Sequence, residues 1–191
     1  MTKLEEHGRV FGLGLSRTGT SSLTSALYRL GVNTKHYPRD QRTYEQLRDG
    51  DYHLDILKTR TRGLTDIPIV PYFAQLDRAW PGSKFILTVR EKEPWLQSVE
   101  KLLQSSAKWW DKDPQYRQIA EFFRACVYGS VWFNRDRFSY VYDTHVRNVL
   151  HYFQDRPEDL LVLDICGGEG WEKLCTFFGA EVPNHPFPRV S

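Results

Sequence analysis

Residues 10–23 read Val-Phe-Gly-Leu-Gly-Leu-Ser-Arg-Thr-Gly-Thr-Ser-Ser-Leu, an apolar run that breaks into glycines and hydroxyls and then turns apolar again. The second apolar part, Leu23, Ala26, Leu27 and Leu30, has the spacing of one helical face and stops at Gly31. Strand, small-residue loop and helix in that order make an anion cradle. Backbone N–H groups at a helix N-terminus point at the anion, and the helix dipole favours its negative charge. Small residues let the backbone approach, and the hydroxyls of Thr18, Thr20, Ser21 and Ser22 supply further donors. A helix cap alone needs one hydroxyl and no pair of glycines. The stretch therefore reads as a phosphate site.

It departs from the nucleoside-triphosphate loop G-x-x-x-x-G-K-[ST] at one informative position. Gly14-Leu15-Ser16-Arg17-Thr18-Gly19-Thr20-Ser21 keeps both glycines and the hydroxyl but has Thr20 where the lysine belongs. Arg17, ahead of the second glycine, is the loop's only cation. That arrangement argues against ATP or GTP hydrolysis.

At these residues the chain resembles the sulfotransferases that use 3′-phosphoadenosine-5′-phosphosulfate (PAPS). Gly-Leu-Ser-Arg-Thr-Gly-Thr-Ser-Ser-Leu is similar to the P-loop branch that carries arginine in its 5′-phosphosulfate loop. The resemblance implies that Ser16, Arg17, Thr18, Gly19, Thr20, Ser21 and Ser22 hold the 5′ side of the nucleotide. It implies a second site as well. Lys84–Val89 reads as a strand, Arg90 ends it, and Ser98 follows eight residues on in the next helix. In the family an Arg and a Ser so placed hold the 3′-phosphate, a task that suits a planar, always-charged guanidinium. Further pieces with family counterparts are Gly-Trp-Glu-Lys-Leu-Cys at 170–175 and Pro-Phe-Pro at 186–188, so the likeness runs from about Val10 to Arg189.

Proton transfer is less settled. The family's general-base histidine sits in a Thr-His-Leu-Pro stretch, and Thr65-Asp66-Ile67-Pro68 stands at the matching distance with Asp66 in its place. On its own, an Asp here reads as a turn residue or cap. A free carboxyl, with pKa near 3.9, is a weak base for a hydroxyl. Asp66 therefore needs a raised pKa from burial, or an acceptor that ionises easily. His36, at the end of a short candidate strand over 32–38, is the second candidate; a surface histidine before a turn is the other reading. His145, at the edge of a helical stripe of Val146, Val149, Leu150 and Phe153, reads as structural first.

The stretch Leu160–Gly170 imitates the strand and glycine loop of a methyltransferase, but the 21 residues after Gly170 are too few for the rest of that fold. It reads instead as a last strand, a turn and a closing helix over 171–179. Arg189 falls in what reads as a solvated tail, with a share in 3′-phosphate binding as the role that the resemblance raises. Between Ser105 and Phe138 aromatic residues are dense. Most read as core, while Trp109-Trp110 and Trp132-Phe133 are candidates to wall an acceptor pocket.

The bulk numbers set the class. With 191 residues, 40% hydrophobic and 26% charged, the chain suits one globular domain spanning 1–191. A net charge of +2 gives no reason to expect nucleic acid. Three cysteines form no disulfide framework, which predicts a reducing compartment, the cytoplasm. Met1–His7 is too charged for a signal peptide, and no apolar run approaches the roughly 18 residues of a membrane span. The expectation is an α/β, three-layer P-loop-type domain with a mainly parallel central sheet. Its expected activity is transfer of the sulfuryl group of PAPS to a hydroxyl, in preference to an amine, of a small-molecule acceptor. Adenosine 3′,5′-bisphosphate is the expected product, and no metal is required. A P-loop small-molecule kinase and a non-catalytic bisphosphate-binding module are the alternatives. Acceptor identity and oligomeric state stay open.

Overall fold

In the computed structural model, which describes residues 8–108 and 112–190, the short apolar runs become one sheet. Its strands are β1 (Val10–Gly12), β2 (Thr34–His36), β3 (Gly63–Thr65), β4 (Lys84–Thr88) and β5 (Leu160–Leu163). Their order is β2-β3-β1-β4-β5, and each pairing is parallel. Seven α-helices among the described residues connect or cover them: α1 (Thr20–Arg29), α2 (Gln41–Asp49), α3 (Phe73–Ala79), α4 (Lys92–Ala107), α5 (Pro114–Tyr128), α6 (Arg135–Tyr152) and α7 (Trp171–Phe178). The three-layer α/β reading holds, with a sheet that is parallel throughout.

Side-chain alternation explains the layers. Phe11, Phe85 and Leu87 point into a core with Trp95 of α4, Phe123 of α5, and Phe138 and Val149 of α6. Val10 and Ile86, one residue out of phase, join Leu23 and Leu27 of α1 with Leu174 and Phe178 of α7 on the opposite face. Each such side chain, fully buried, contributes on the order of 2 kcal/mol. Strands buried on both faces read as continuous apolar runs, which is why Phe-Ile-Leu in β4 shows no polar alternation.

The segment after β5 is a hydrogen-bonded turn. Gly167 N donates to Asp164 Oδ1 at 2.7 Å and Asp164 N donates to Glu169 Oε2 at 2.7 Å. The C-terminal tail is exposed along most of its length, as expected, yet it is anchored to α7. Phe187 packs on Trp171 with ring centroids 4.9 Å apart, and Trp171 Nε1 donates to the His185 carbonyl at 2.8 Å. The apolar surface of α7 has to be covered by something, and the Pro-Phe-Pro segment covers it.

Candidate active site

The chain leaves β1 by α1 towards β2 and leaves β4 by α4 on the opposite face of the sheet. Neighbouring strands whose connections diverge in this way open a crevice at their C-terminal ends. Here that crevice is a cavity of about 720 Å³, lined from the loop after β1 by Ser16, Arg17 and Gly19, and from α1 by Thr20, Ser21 and Ser22. His36, Asp66, Arg90 and Ile165, from the ends of the other four strands, join them.

The loop is held from behind. The His145 Nε2–H donates to the Leu13 carbonyl at 2.7 Å, and Trp95 Nε1 donates to the Ser16 carbonyl at 2.9 Å. His145 is thus structural, and burial lowers its pKa by disfavouring the imidazolium. One helical turn before it on α6, the Tyr142 hydroxyl bonds both the Arg90 carbonyl and the Arg90 N–H. The Thr18 hydroxyl does not face the cavity as the sequence suggested. It donates to the Leu15 carbonyl at 2.7 Å and lies 2.6 Å from the Thr88 hydroxyl, with no exposed surface. That pair requires Gly14, where a Cβ would stand 1.7 Å from Thr88 Oγ1. Gly19 has φ +96° and precedes α1 without any side-chain cap. The first amides of α1 have no intrahelical acceptor and face the cavity end of the loop.

Asp66 is the most densely hydrogen-bonded group in the site. Its Oδ1 accepts from the Ser16 hydroxyl at 2.5 Å and from Ile67 N at 2.6 Å. Its Oδ2 accepts from the Thr20 hydroxyl at 2.7 Å and lies 2.9 Å from His36 Nε2. Strand register makes the pair: His36 ends β2 opposite Thr65, the residue before Asp66. Burial alone would raise the carboxyl's pKa, but the hydrogen bonds from His36, Ser16 and Thr20 hold it below the ordinary range. Burial does not make this carboxyl a stronger base.

Arg17, Tyr37 and Asp66 are the non-glycine residues with positive φ among the described residues, at +74°, +47° and +80°. All three line the cavity. Backbone strain of this kind persists only where surrounding structure over-determines it, and it gathers at functional sites.

Arg17, Arg90 and Ser98 come together. Arg17 Nε donates to the Ser98 hydroxyl at 2.9 Å, and an Arg90 amino group donates to the Arg17 carbonyl at 3.1 Å. Arg90 lines the cavity; Ser98 instead holds Arg17. The tail adds residues the sequence left in solvent. Arg189 donates to the Ile165 carbonyl, and Val190 N donates to the Ser22 hydroxyl at 2.9 Å. Ser22 is thereby turned to the tail.

The far end of the cavity belongs to other elements: Tyr37 and Arg39 after β2, Leu102, Leu103 and Ser106 from α4, and Tyr116, Arg124 and Tyr128 from α5. Trp132 and Phe133 take no part. Trp132 is 62% exposed, and Phe133 packs on Phe138 at 5.1 Å. Trp109 and Trp110 lie outside the described residues. Arg124 offered a signal that sequence reasoning passed over: an arginine on the apolar stripe of Ile119, Ala120 and Phe123, only 5% exposed. Five arginines and one carboxylate line the cavity among the described residues, so its field is strongly positive. No group of three or more His, Cys, Asp or Glu among them is placed to hold a metal ion, and no helix is long and apolar enough to cross a membrane.

Comparison with known proteins agrees with this architecture. The family model described as sulfotransferase domain matches residues 9–191. Ava biosynthesis cluster protein M of Aspergillus versicolor is similar at 27% identity over 215 residues, covering 95% of this chain and 80% of the relative.

Proposed function

The chain belongs to the sulfotransferase domain family, and on that premise we propose that it moves the sulfuryl group of PAPS to a hydroxyl, in preference to an amine, of a small molecule. The observation that carries the reading is the uncapped N-terminus of α1, opening onto a cavity lined by five arginines. A doubly phosphorylated nucleotide answers that charge, and the donor set is of the right kind. The relative's name places that protein in a biosynthesis cluster, which fits a small-molecule acceptor here.

When bound, PAPS supplies the sulfuryl group. The residues to hold its 5′ side are Gly19, Thr20 and Ser21, through backbone amides and the Ser21 hydroxyl, with Ser16 and Ser22 in the adjoining wall and Thr18 bracing the loop from behind. Arg90 is the proposed 3′-phosphate ligand. Ser98 aims Arg17, and Arg189 lines the same end. Arg17 is the cation for charge that develops on the leaving phosphate, a role that needs an oriented donor rather than a mobile one. Its strained φ and its bond to Ser98 supply that orientation.

The proposed proton acceptor is His36, with Asp66 as its anionic partner. A carboxylate held low by its neighbours stays charged and keeps the proton on His36 Nε2. The other ring nitrogen, Nδ1, is then left with a lone pair. This reverses the order of the two candidates read from the sequence, because the bonds around Asp66 weaken it as a base.

Calorimetric titration with adenosine 3′,5′-bisphosphate, 5′-AMP and ATP with Mg²⁺ tests the reading. Micromolar bisphosphate binding, weaker by tenfold or more without the 3′-phosphate, is the expected result. A preference for ATP would move the protein to the kinase alternative.

A further inference from the structure

The transfer as proposed calls on Arg17, Arg90 and Arg189. Two more arginines line the same cavity, Arg39 and Arg124, and it uses neither. Both stand at the far end. Tyr116, Arg124 and Tyr128 fall on one four-residue ridge of α5, and all three line the cavity. Ile119 and Phe123, off that ridge, go to the core instead. Arg39 lies three residues beyond His36, the end of β2, and its guanidinium rests on the Tyr116 ring at 4.7 Å. The charges of both arginines act on the Tyr37 hydroxyl, as does that of Asp66, so the two cations share the neighbourhood beside His36.

Each guanidinium is held in place by a neutral group. Arg124 Nη2 donates to the Ser106 hydroxyl at 2.6 Å, and that hydroxyl donates to the Leu103 carbonyl at 3.0 Å. A contact from α4 thus fixes the plane of the Arg124 fork. Arg39 is steadied by an aromatic face. Burying an arginine is costly, because the group stays charged at any working pH. An apolar side chain would fill the same position on the α5 stripe at no such cost, so packing alone gives no reason for the charge. The one carboxylate among the described lining residues is Asp66, which is committed to Ser16, Thr20, Ile67 and His36. A planar fork held at a fixed orientation matches a planar carboxylate, to which it gives two parallel hydrogen bonds.

We propose that the acceptor is a hydroxy acid, whose carboxylate sits on Arg124 and Arg39 while its hydroxyl meets His36. The anchored carboxylate sets where along the cavity the hydroxyl stops, so binding at one end of the acceptor orients the reacting end. The inference rests on the sulfotransferase reading, and the test separates the two.

Wild type, Arg124→Gln and Arg39→Gln are saturated with adenosine 3′,5′-bisphosphate and titrated calorimetrically with 4-hydroxyphenylacetate and 4-(hydroxymethyl)benzoate, each beside its methyl ester. The same four compounds are then assayed with PAPS. In the wild type an acid should bind about 10- to 100-fold more tightly than its ester, the worth of hydrogen bonds between charged groups, and kcat/KM should follow the same order. Arg124→Gln should abolish that preference. Arg39→Gln, at an exposed position, should reduce it by about threefold or more. Bisphosphate affinity should change less than twofold in both variants. A wild type that binds ester as well as acid in both pairs, or transfers sulfuryl to neither acid, overturns the proposal. So does a variant that keeps the full preference, or one that loses bisphosphate affinity in step with it, since its arginine would then serve the nucleotide. Should Arg124→Gln fail to fold, Arg39→Gln decides alone. Failure of the wild type to bind bisphosphate removes the sulfotransferase reading itself, and the inference with it.

Discussion

The two ends of the cavity are built from different material. At the phosphate end the surface is largely backbone: five strand ends, a glycine loop and the first turn of α1, held by His145, Trp95 and Tyr142 from behind. At the far end the surface is side chains, on α4, on α5 and just after β2. The first kind of wall is fixed by the sheet register and cannot be altered one residue at a time. The second can be resurfaced by substitution without touching the strands. A shared donor chemistry with variable acceptors needs that division of labour.

The largest effect should come at the pair of His36 and Asp66. His36→Gln removes the proposed proton acceptor, and kcat should fall about 10²- to 10⁴-fold, with bisphosphate affinity held within a few-fold. Steady-state kinetics beside calorimetry read both quantities; an equal loss in affinity would mean that His36 serves the cradle instead. Arg17→Ala should lower kcat by about 10²- to 10³-fold, roughly 3 kcal/mol, as for one lost oxyanion donor. Near-normal turnover in that variant would show that the phosphate end works without its exposed cation.

Arg90→Ala is a binding change in the proposed scheme. Bisphosphate should bind about 10- to 100-fold more weakly, while 5′-AMP is affected little. Equal weakening of both nucleotides would place Arg90 on the 5′ side and redraw the division within the phosphate end. The smallest effect concerns the support of the loop. His145 has a folded-state pKa below its unfolded value, so the unfolded chain binds more protons between the two. Its contribution to stability is complete above about pH 6.5 and shrinks as pH falls below that. Thermal melts at pH 7.5 and 5.5 should show a larger drop for wild type than for His145→Gln. Parallel drops would mean that the histidine is not buried neutral.

The same contrast explains what could be read beforehand. The loop from Gly14 to Ser22 was legible because strand, glycines, hydroxyls and helix follow one another in a single stretch, and Arg90 because it ends a strand of strong β-formers. The pairing of His36 with Asp66 was not, since it depends on β2 and β3 lying side by side. Nor could the inward turn of Thr18 be read, as it depends on Thr88, seventy residues away. At the far end, periodicity marked α5 as amphipathic without telling which buried positions face the core and which face a cavity. Trp132 looked like a wall and is solvent-facing, whereas Tyr128, in a stretch whose aromatics read mostly as core, lines the cavity.

The left-handed backbone at Arg17, Tyr37 and Asp66 bears on laboratory evolution. A selection for heat resistance alone rewards glycine at such positions, since each relieves on the order of 1 kcal/mol of conformational strain. Those same replacements delete the cation aimed at the leaving phosphate, an aromatic wall and the partner of His36. Variants recovered by thermal screening should therefore be sorted first by whether these three codons have changed, because there a hardier protein is also an emptier one.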